Sequence, residues 1–94
     1  MIQETFPEDP DTAVAIAKCE SGLDAKIQSY HQLSYGREES FGVFQIHSPH
    51  WNDKALELGY TNYKTDVEDN LLMARYIYEQ MGWSAWSCFT KNMI

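Results

Sequence analysis

Apolar residues recur at the spacing of an α-helix in three stretches of the chain. They predict a helix over residues 10–21, a short helix over 48–59 and a long helix over 66–82. Each stretch begins beside an aspartate or serine that can cap a helix, and each ends at or before a glycine. The longest carries an apolar stripe of Val67, Leu71, Ala74, Tyr78 and Met81. We therefore expect this helix to be the central packing element.

The rest of the chain lacks a helical period. Residues 23–40 are rich in turn-forming and β-prone residues, which predicts an exposed loop with a small hairpin. Residues 40–46 favour a β-strand, and Gly42 within them permits close backbone approach. Residues 83–89 predict a final aromatic turn or short helix. The predicted fold is a mostly helical α+β domain with one small β element beside the end of the first helix.

The length and charge of the chain limit its possible partners. With 94 residues there is room for one hydrophobic core. Residues 1–10 are acidic and interrupted by proline, so we interpret them as an extension or linker and residues 11–94 as the folded domain. A net charge of −7 without a Lys/Arg cluster argues against nucleic acid and anionic membrane as partners. The chain shows neither a membrane span nor a signal peptide, so if the protein works outside the cell it is a mature fragment or one module of a longer exported chain. We expect a monomer.

One acidic residue lies on an apolar helix face. Glu20 falls seven positions after Ala13 and three after Ala17, so it shares their stripe. Gly22 is suited to follow the helix end, which places Glu20 in the last turn, where the helix dipole disfavours negative charge. Both surroundings favour the protonated carboxyl that a general acid needs. The alternative is a Glu20 that turns to solvent or pairs with a cation such as Lys18.

Two cysteines lie near opposite ends of the predicted domain. Cys19 and Cys88 are 69 positions apart, and a disulfide between them would remove about 4 kcal/mol of unfolded-chain entropy. The alternative is two free, buried thiols in a reducing compartment. A disulfide would instead indicate an oxidising location outside the cytoplasm.

Three blocks of sequence, in order, resemble the lysozyme-like superfamily. Residues 17–22, AKCESG, are similar to the AKxESG run of animal-type lysozymes and to the CESG of resuscitation-promoting factors. Residues 40–48, SFGVFQIHS, are similar to the hairpin motif (D/S)-Y-G-(I/L)-(F/L)-Q-I-N-S of that superfamily. Residues 82–86, GWSAW, resemble the G-W-x-A-W of the resuscitation-promoting factors.

The resemblance implies a lysozyme-like fold with a cleft between a helical body and a small hairpin. It implies a β-1,4-glycosidase acting on the bond between N-acetylmuramic acid and N-acetylglucosamine in peptidoglycan. Glu20 takes the position of the catalytic acid, and Trp86 that of the apolar neighbour that keeps it protonated. Gln45, His47 and Trp51 fall on positions that line the sugar cleft. For Trp51, core packing is the alternative to a sugar contact.

Ser40 departs from the animal-type lysozymes, which have an aspartate at this position. Two-carboxylate glycosidases hold these groups about 5 Å apart when retaining and about 6.5–9.5 Å apart when inverting, and a serine supplies no such charge. Single-glutamate members of the superfamily are typically lytic transglycosylases, in which the 6-hydroxyl of the sugar closes an anhydro ring. Ser40 would then contact the substrate. The alternatives are a muramidase with Glu39 or Glu38 as second carboxylate, and a non-catalytic glycan-binding module.

Two further positions differ from the family patterns. The Tyr-Asn-x-Gly signature of bacterial transglycosylases is absent, which leaves Tyr78 as the candidate for a tyrosine that contacts substrate. Cys88 follows Trp86 by two positions, whereas three separate them in the resuscitation-promoting factors. The resemblance still implies a disulfide between Cys19 and Cys88.

A pair of histidines is the remaining chemical signal. His47 and His50 are three positions apart, but no third metal ligand is evident nearby and Pro49 lies between them, so the sequence predicts no metal and no cofactor. The expected partner is the glycan strand of peptidoglycan. This places the protein outside the cell, in the periplasm or at the cell wall, or on a virion.

Overall fold

The structure is mostly helical and contains one small antiparallel sheet. This computed structural model describes residues 1–23, 28–33 and 36–94, with side chains described for residues 1–23 and 39–94. The helices are α1 (Ile2–Thr5), α2 (Pro10–Ser21), α3 (Ser48–Leu58), α4 (Val67–Met81) and α5 (Ser87–Thr90), with a 3₁₀ turn at Gly82–Ala85 between the last two. The strands are β1 (Gln28–Leu33), β2 (Gly36–Phe41) and β3 (Ile46–His47), paired in the order β1-β2-β3. The predicted α+β fold is confirmed.

Helix α2 begins and ends where the sequence predicts. The Asp9 side chain accepts a hydrogen bond from the main-chain N–H of Thr12 (3.4 Å), and Pro10 occupies the first helical position. Gly22 ends the helix in the left-handed conformation at φ +65°, and its N–H donates to the carbonyl of Lys18 (2.8 Å). Glu20 therefore lies in the last turn, as expected.

Residues 40–46 do not form the continuous strand that their β-prone composition favours; they form the hairpin that the resemblance of residues 40–48 implies. Strand β2 ends at Phe41, residues 42–45 form a turn, and β3 begins at Ile46. Gly42 and Gln45 both have positive φ, +78° and +49°, and the N–H of Gln45 donates to the carbonyl of Gly42 (3.1 Å). The β-prone composition indicated an extended chain, but contacts to distant residues favour the turn.

Asn70 of α4 holds this turn. Its side-chain amide donates to the carbonyls of Phe41 and Tyr63 (both 2.9 Å) and accepts from the N–H of Phe44 (3.0 Å). Asn70 is 1% exposed, so every one of these bonds satisfies a buried group. An added Cβ at Gly42 would collide with the Asn70 amide, which explains why glycine is needed there. The beginning of α4 therefore fixes the approach to β3.

The core lies on the inner face of α4, as the apolar stripe predicts. Its buried apolar residues on this helix are Leu71, Met73, Ala74 and Ile77. Met81, at the end of the predicted stripe, is instead 48% exposed, because α4 ends there and the chain turns away at Gly82. Among the described residues, no helix is both long and apolar enough to cross a membrane.

The N-terminal residues pack on this core. Phe6 is fully buried, with its ring centroid 5.2–5.5 Å from those of Phe44, Tyr78 and Trp83. The Glu8 carboxylate accepts two hydrogen bonds from the Arg75 guanidinium on α4 (2.7 and 2.6 Å). These bonds lower the pKa of Glu8. The division of the chain at residue 10 stays a prediction, but Phe6 on its N-terminal side is part of the core.

The buried hydroxyl of Tyr63, in the loop before α4, leads us to expect a loss of stability at high pH. Burial raises its pKa to about 12, and its hydroxyl donates to the Asn52 side chain (3.0 Å). The folded protein therefore binds the phenolic proton more tightly than the unfolded chain, whose tyrosine pKa is about 10. This contribution is fully present below pH ~10 and is lost as the pH rises through about 12, which amounts to about 3 kcal/mol.

Urea unfolding of the wild type and of Tyr63→Phe between pH 8 and pH 12 measures this loss. The variant lacks the titrating group and keeps the buried ring, so its stability should fall less over the upper part of that range. Parallel falls in the two proteins would contradict the prediction.

Candidate active site

One cavity of about 260 Å³ lies where α2, the turn before β3, α3 and the end of α4 meet. Its wall combines one carboxylate, one amide and two imidazoles with apolar and aromatic surface. The lining residues are Glu20, Gln45, Ile46, His47, His50, Trp51, Ile77, Met81, Ala85, Trp86 and Ser87. Small polar ligands with apolar faces, such as sugars, fit such a mixed wall.

Glu20 contributes the carboxylate from the last turn of α2, where it is half-buried. Its Oε2 accepts a hydrogen bond from the main-chain N–H of Cys88 (3.1 Å). Cys88 is also joined by a disulfide to Cys19, the residue immediately before Glu20, with the two Cα atoms 6.2 Å apart. The structure thus contains the predicted disulfide, which joins the residue before Glu20 to the residue whose N–H binds the Glu20 carboxylate.

Gln45 contributes the amide from the turn between β2 and β3. The residue is 7% exposed, and its Nε2 donates to the carbonyl of Gly42 (2.8 Å). Two side chains from other elements hold the same turn: the Ser21 hydroxyl donates to the Val43 carbonyl (2.7 Å), and the Trp86 indole N–H donates to the Phe44 carbonyl (2.9 Å). These bonds fix the turn relative to the helix that carries Glu20.

Trp86 forms part of the apolar wall. It is 4% exposed and packs against Phe44 and Trp83, with ring centroids 5.5 and 5.9 Å away. Its indole N–H donates to the Phe44 carbonyl, so burial of the ring leaves no hydrogen-bond donor without an acceptor. A rigid aromatic surface therefore lines the same cavity as the carboxylate.

The first turn of α3 forms the opposite, more exposed side. His47 and His50 are exposed, while Trp51 is half-buried and meets the His50 ring edge-on at 4.8 Å. Trp51 also packs against Tyr76 at 6.3 Å, so it both supports the core and faces the cavity. In the part of the chain with described side chains, no three His, Cys, Asp or Glu residues converge as metal ligands.

Comparison with protein families matches residues 1–84 to the transglycosylase SLT domain. The chain belongs to this family. A search of curated proteins found no match to the chain. The SLT domain is a domain of the lysozyme-like superfamily, so the predicted resemblance is confirmed, and it supports peptidoglycan cleavage of the lytic transglycosylase type at the level of the family.

The residues matched to the SLT domain include most, but not all, of those that line the cavity. The matched residues include Glu20, the turn with Gln45 and the whole of α4, but they end before Trp86 and Cys88. Trp86 and the Cys88 N–H that donates to the carboxylate therefore lie beyond the matched residues.

Three residues predicted at the site do not line the cavity of this SLT domain. Ser40 is 3% exposed and opposes His47 in the β2–β3 ladder. Glu39 lies next to it on β2, facing the other side of the sheet. Tyr78 packs against Phe6 and Trp83 instead, because it is rotated by about 100° around α4 from Ile77, which does line the cavity. The Glu38 side chain lies outside the described residues.

Sequence reasoning missed several lining residues of this SLT domain. Ile77 and Met81 are one helical turn apart on α4 and share a face, a spacing that could have identified them together. Ala85 and Ser87 flank Trp86 and reach the cavity with it. Since these residue types are apolar or small, their sequence carries no chemical signal of a site.

Proposed function

We propose that this SLT domain is a peptidoglycan lytic transglycosylase that cleaves the β-1,4 bond between N-acetylmuramic acid and N-acetylglucosamine. One observation carries the proposal: among residues with described side chains, Glu20 is the single acid that lines the cavity. A single carboxylate suits a reaction in which one group acts first as acid and then as base. Family membership supports the same reaction class.

In the proposed reaction Glu20 first protonates the oxygen of the glycosidic bond as that bond breaks at C1 of the muramyl sugar. The 2-acetamido group of the same sugar assists by stabilising the positive charge that develops at C1. The 6-hydroxyl then forms a new bond to C1, and the Glu20 carboxylate takes its proton. One carbon–oxygen bond is broken, one is formed, and the glutamate is returned to its acid form without water or a cofactor.

The other lining residues would bind and orient the glycan. Gln45 would hydrogen-bond the acetamido or hydroxyl groups, and His47 would do so from the exposed side of the cavity. Trp51 would stack on the apolar face of a sugar ring, since it is half-buried and already supported by Tyr76. Trp86 would exclude water beside the acid.

The products of digested peptidoglycan test this proposal. We expect mass spectrometry to find muropeptides that end in 1,6-anhydro-N-acetylmuramic acid. Reducing ends would instead indicate a muramidase and would call for a second carboxylate such as Glu39 or Glu38. Binding to peptidoglycan without any new product would indicate a non-catalytic glycan-binding module.

The proposed substrate also sets where the protein acts. Peptidoglycan lies outside the cytoplasm, and a disulfide persists in such oxidising surroundings. We therefore propose an exported protein that acts in the periplasm, at the cell wall or outside the cell. Its charge of −7 gives no electrostatic attraction to an anionic wall, so short-range contacts or a partner domain must provide the affinity.

A further inference from the structure

The main-chain N–H of Cys88 makes a hydrogen bond to the carboxylate that would perform the chemistry. The bond joins Cys88 N to Glu20 Oε2 over 3.1 Å and spans 68 positions of sequence. The disulfide from Cys88 leads back to Cys19, the direct neighbour of Glu20. The same residue is therefore tied to the end of α2 twice, once by a covalent bond and once through the carboxylate.

The segment that carries this N–H is a short helix that buries little of its own surface. Helix α5 has four residues, and three of them, Ser87, Phe89 and Thr90, are exposed. A single turn of helix is unstable without tertiary support. Cys88, 4% exposed, is its one buried residue, so the disulfide, together with the buried Trp86 just before the helix, keeps the N–H beside Glu20.

We infer that the Cys88 N–H, held in place by the disulfide, is a positioning device for the Glu20 carboxyl. The inference rests on the proposed function of Glu20. With Oε2 anchored, the plane of the carboxyl group is fixed and the other oxygen is left to carry the proton that moves to and from the sugar. Small errors in the position of a reacting group lower the rate of the chemical step more than they lower affinity. The device should therefore act on kcat rather than on KM.

Replacement of one amide by an ester tests the device without removing a side chain. The full chain, assembled from peptide fragments, would carry an ester in place of the amide N–H of residue 88 and keep the disulfide. We expect kcat for peptidoglycan cleavage to fall about tenfold with KM unchanged, the size expected for loss of a hydrogen bond to a charged group.

An ester at residue 91 is the matched control. The N–H of Lys91 donates to the carbonyl of Ser87 (2.9 Å), and an ester at residue 88 weakens that same carbonyl as an acceptor. The Ser87 carbonyl also accepts a longer hydrogen bond from the Thr90 hydroxyl (3.3 Å). The control therefore removes the shorter of the two other hydrogen bonds that the first ester weakens, without touching Glu20. Equal kcat values for the two ester proteins would overturn the inference.

Two further measurements separate positioning from general support of the fold. In a Glu20→Gln background the ester at residue 88 should change the residual activity little, whereas a structural lesion would lower it in both backgrounds. Cys19→Ser/Cys88→Ser, assayed at a temperature where circular dichroism shows it folded, should lose kcat at constant KM. An unchanged kcat in this variant would overturn the role of the disulfide. Equal cleavage by the wild type and Glu20→Gln would instead overturn the proposed function itself.

Discussion

Glu20→Gln is expected to lower peptidoglycan cleavage at least ~100-fold while the protein stays folded. The amide cannot donate a proton to the glycosidic oxygen or take one from the 6-hydroxyl, and general acid–base catalysis typically contributes this much. The substitution changes one atom, and its side-chain oxygen can still accept the hydrogen bond from the Cys88 N–H. The measurement is the rate of clearing of a peptidoglycan suspension, with thermal unfolding as the check on folding.

Glu39→Gln provides the matched control, since it is the same chemical change on a carboxylate that does not line the cavity. The lytic transglycosylase proposal expects full activity from this variant. A large loss with Glu39→Gln would favour the muramidase, in which this residue supplies the second carboxylate. Undiminished clearing by Glu20→Gln would refute the assignment of the acid.

The three longest helices could be predicted from local signals because those signals act within a few residues. Capping at Asp9 and left-handed ends at Gly22 and Gly59 depend on neighbours in sequence, and the structure has them as expected. The turn at residues 42–45 could not be predicted in this way. It depends on Asn70, nearly 30 positions away, whose amide donates to the Phe41 carbonyl and accepts from the Phe44 N–H.

The candidate site also contains some residues that the sequence predicts and others that it does not. The resemblance of motifs predicts that Glu20, Gln45 and Trp86 share one cleft, and the structure brings all three to one cavity. Tyr78 lies on the apolar stripe that predicts the packing face of α4, and the structure has it packed against Phe6 and Trp83 rather than in the cavity. The donor to Glu20 is a main-chain N–H, and every residue except proline has one, so no residue type could have revealed it.

Phe6→Ala is expected to destabilise the protein by about 3–5 kcal/mol, the usual loss when a buried phenylalanine is truncated. The ring is fully buried against Phe44, Tyr78 and Trp83, and it belongs to a chain of aromatic contacts that continues from Phe44 to Trp86 at the cavity. Such a loss is a large part of the stability of a small domain. Urea unfolding at neutral pH measures it.

Phe89→Ala is the control, because this phenylalanine is 39% exposed and its truncation should cost about 1 kcal/mol or less.

The comparison of Phe6→Ala with Phe89→Ala also tests the predicted domain boundary at residue 10. If residues 1–10 were a separable linker, Phe6→Ala would cost no more than Phe89→Ala, and deletion of residues 1–9 would leave stability unchanged. If Phe6 is needed to complete the core, Phe6→Ala and the deletion of residues 1–9 both destabilise the domain. We then expect activity to fall as well, because Phe6 contacts Phe44 and Phe44 contacts Trp86 at the cavity.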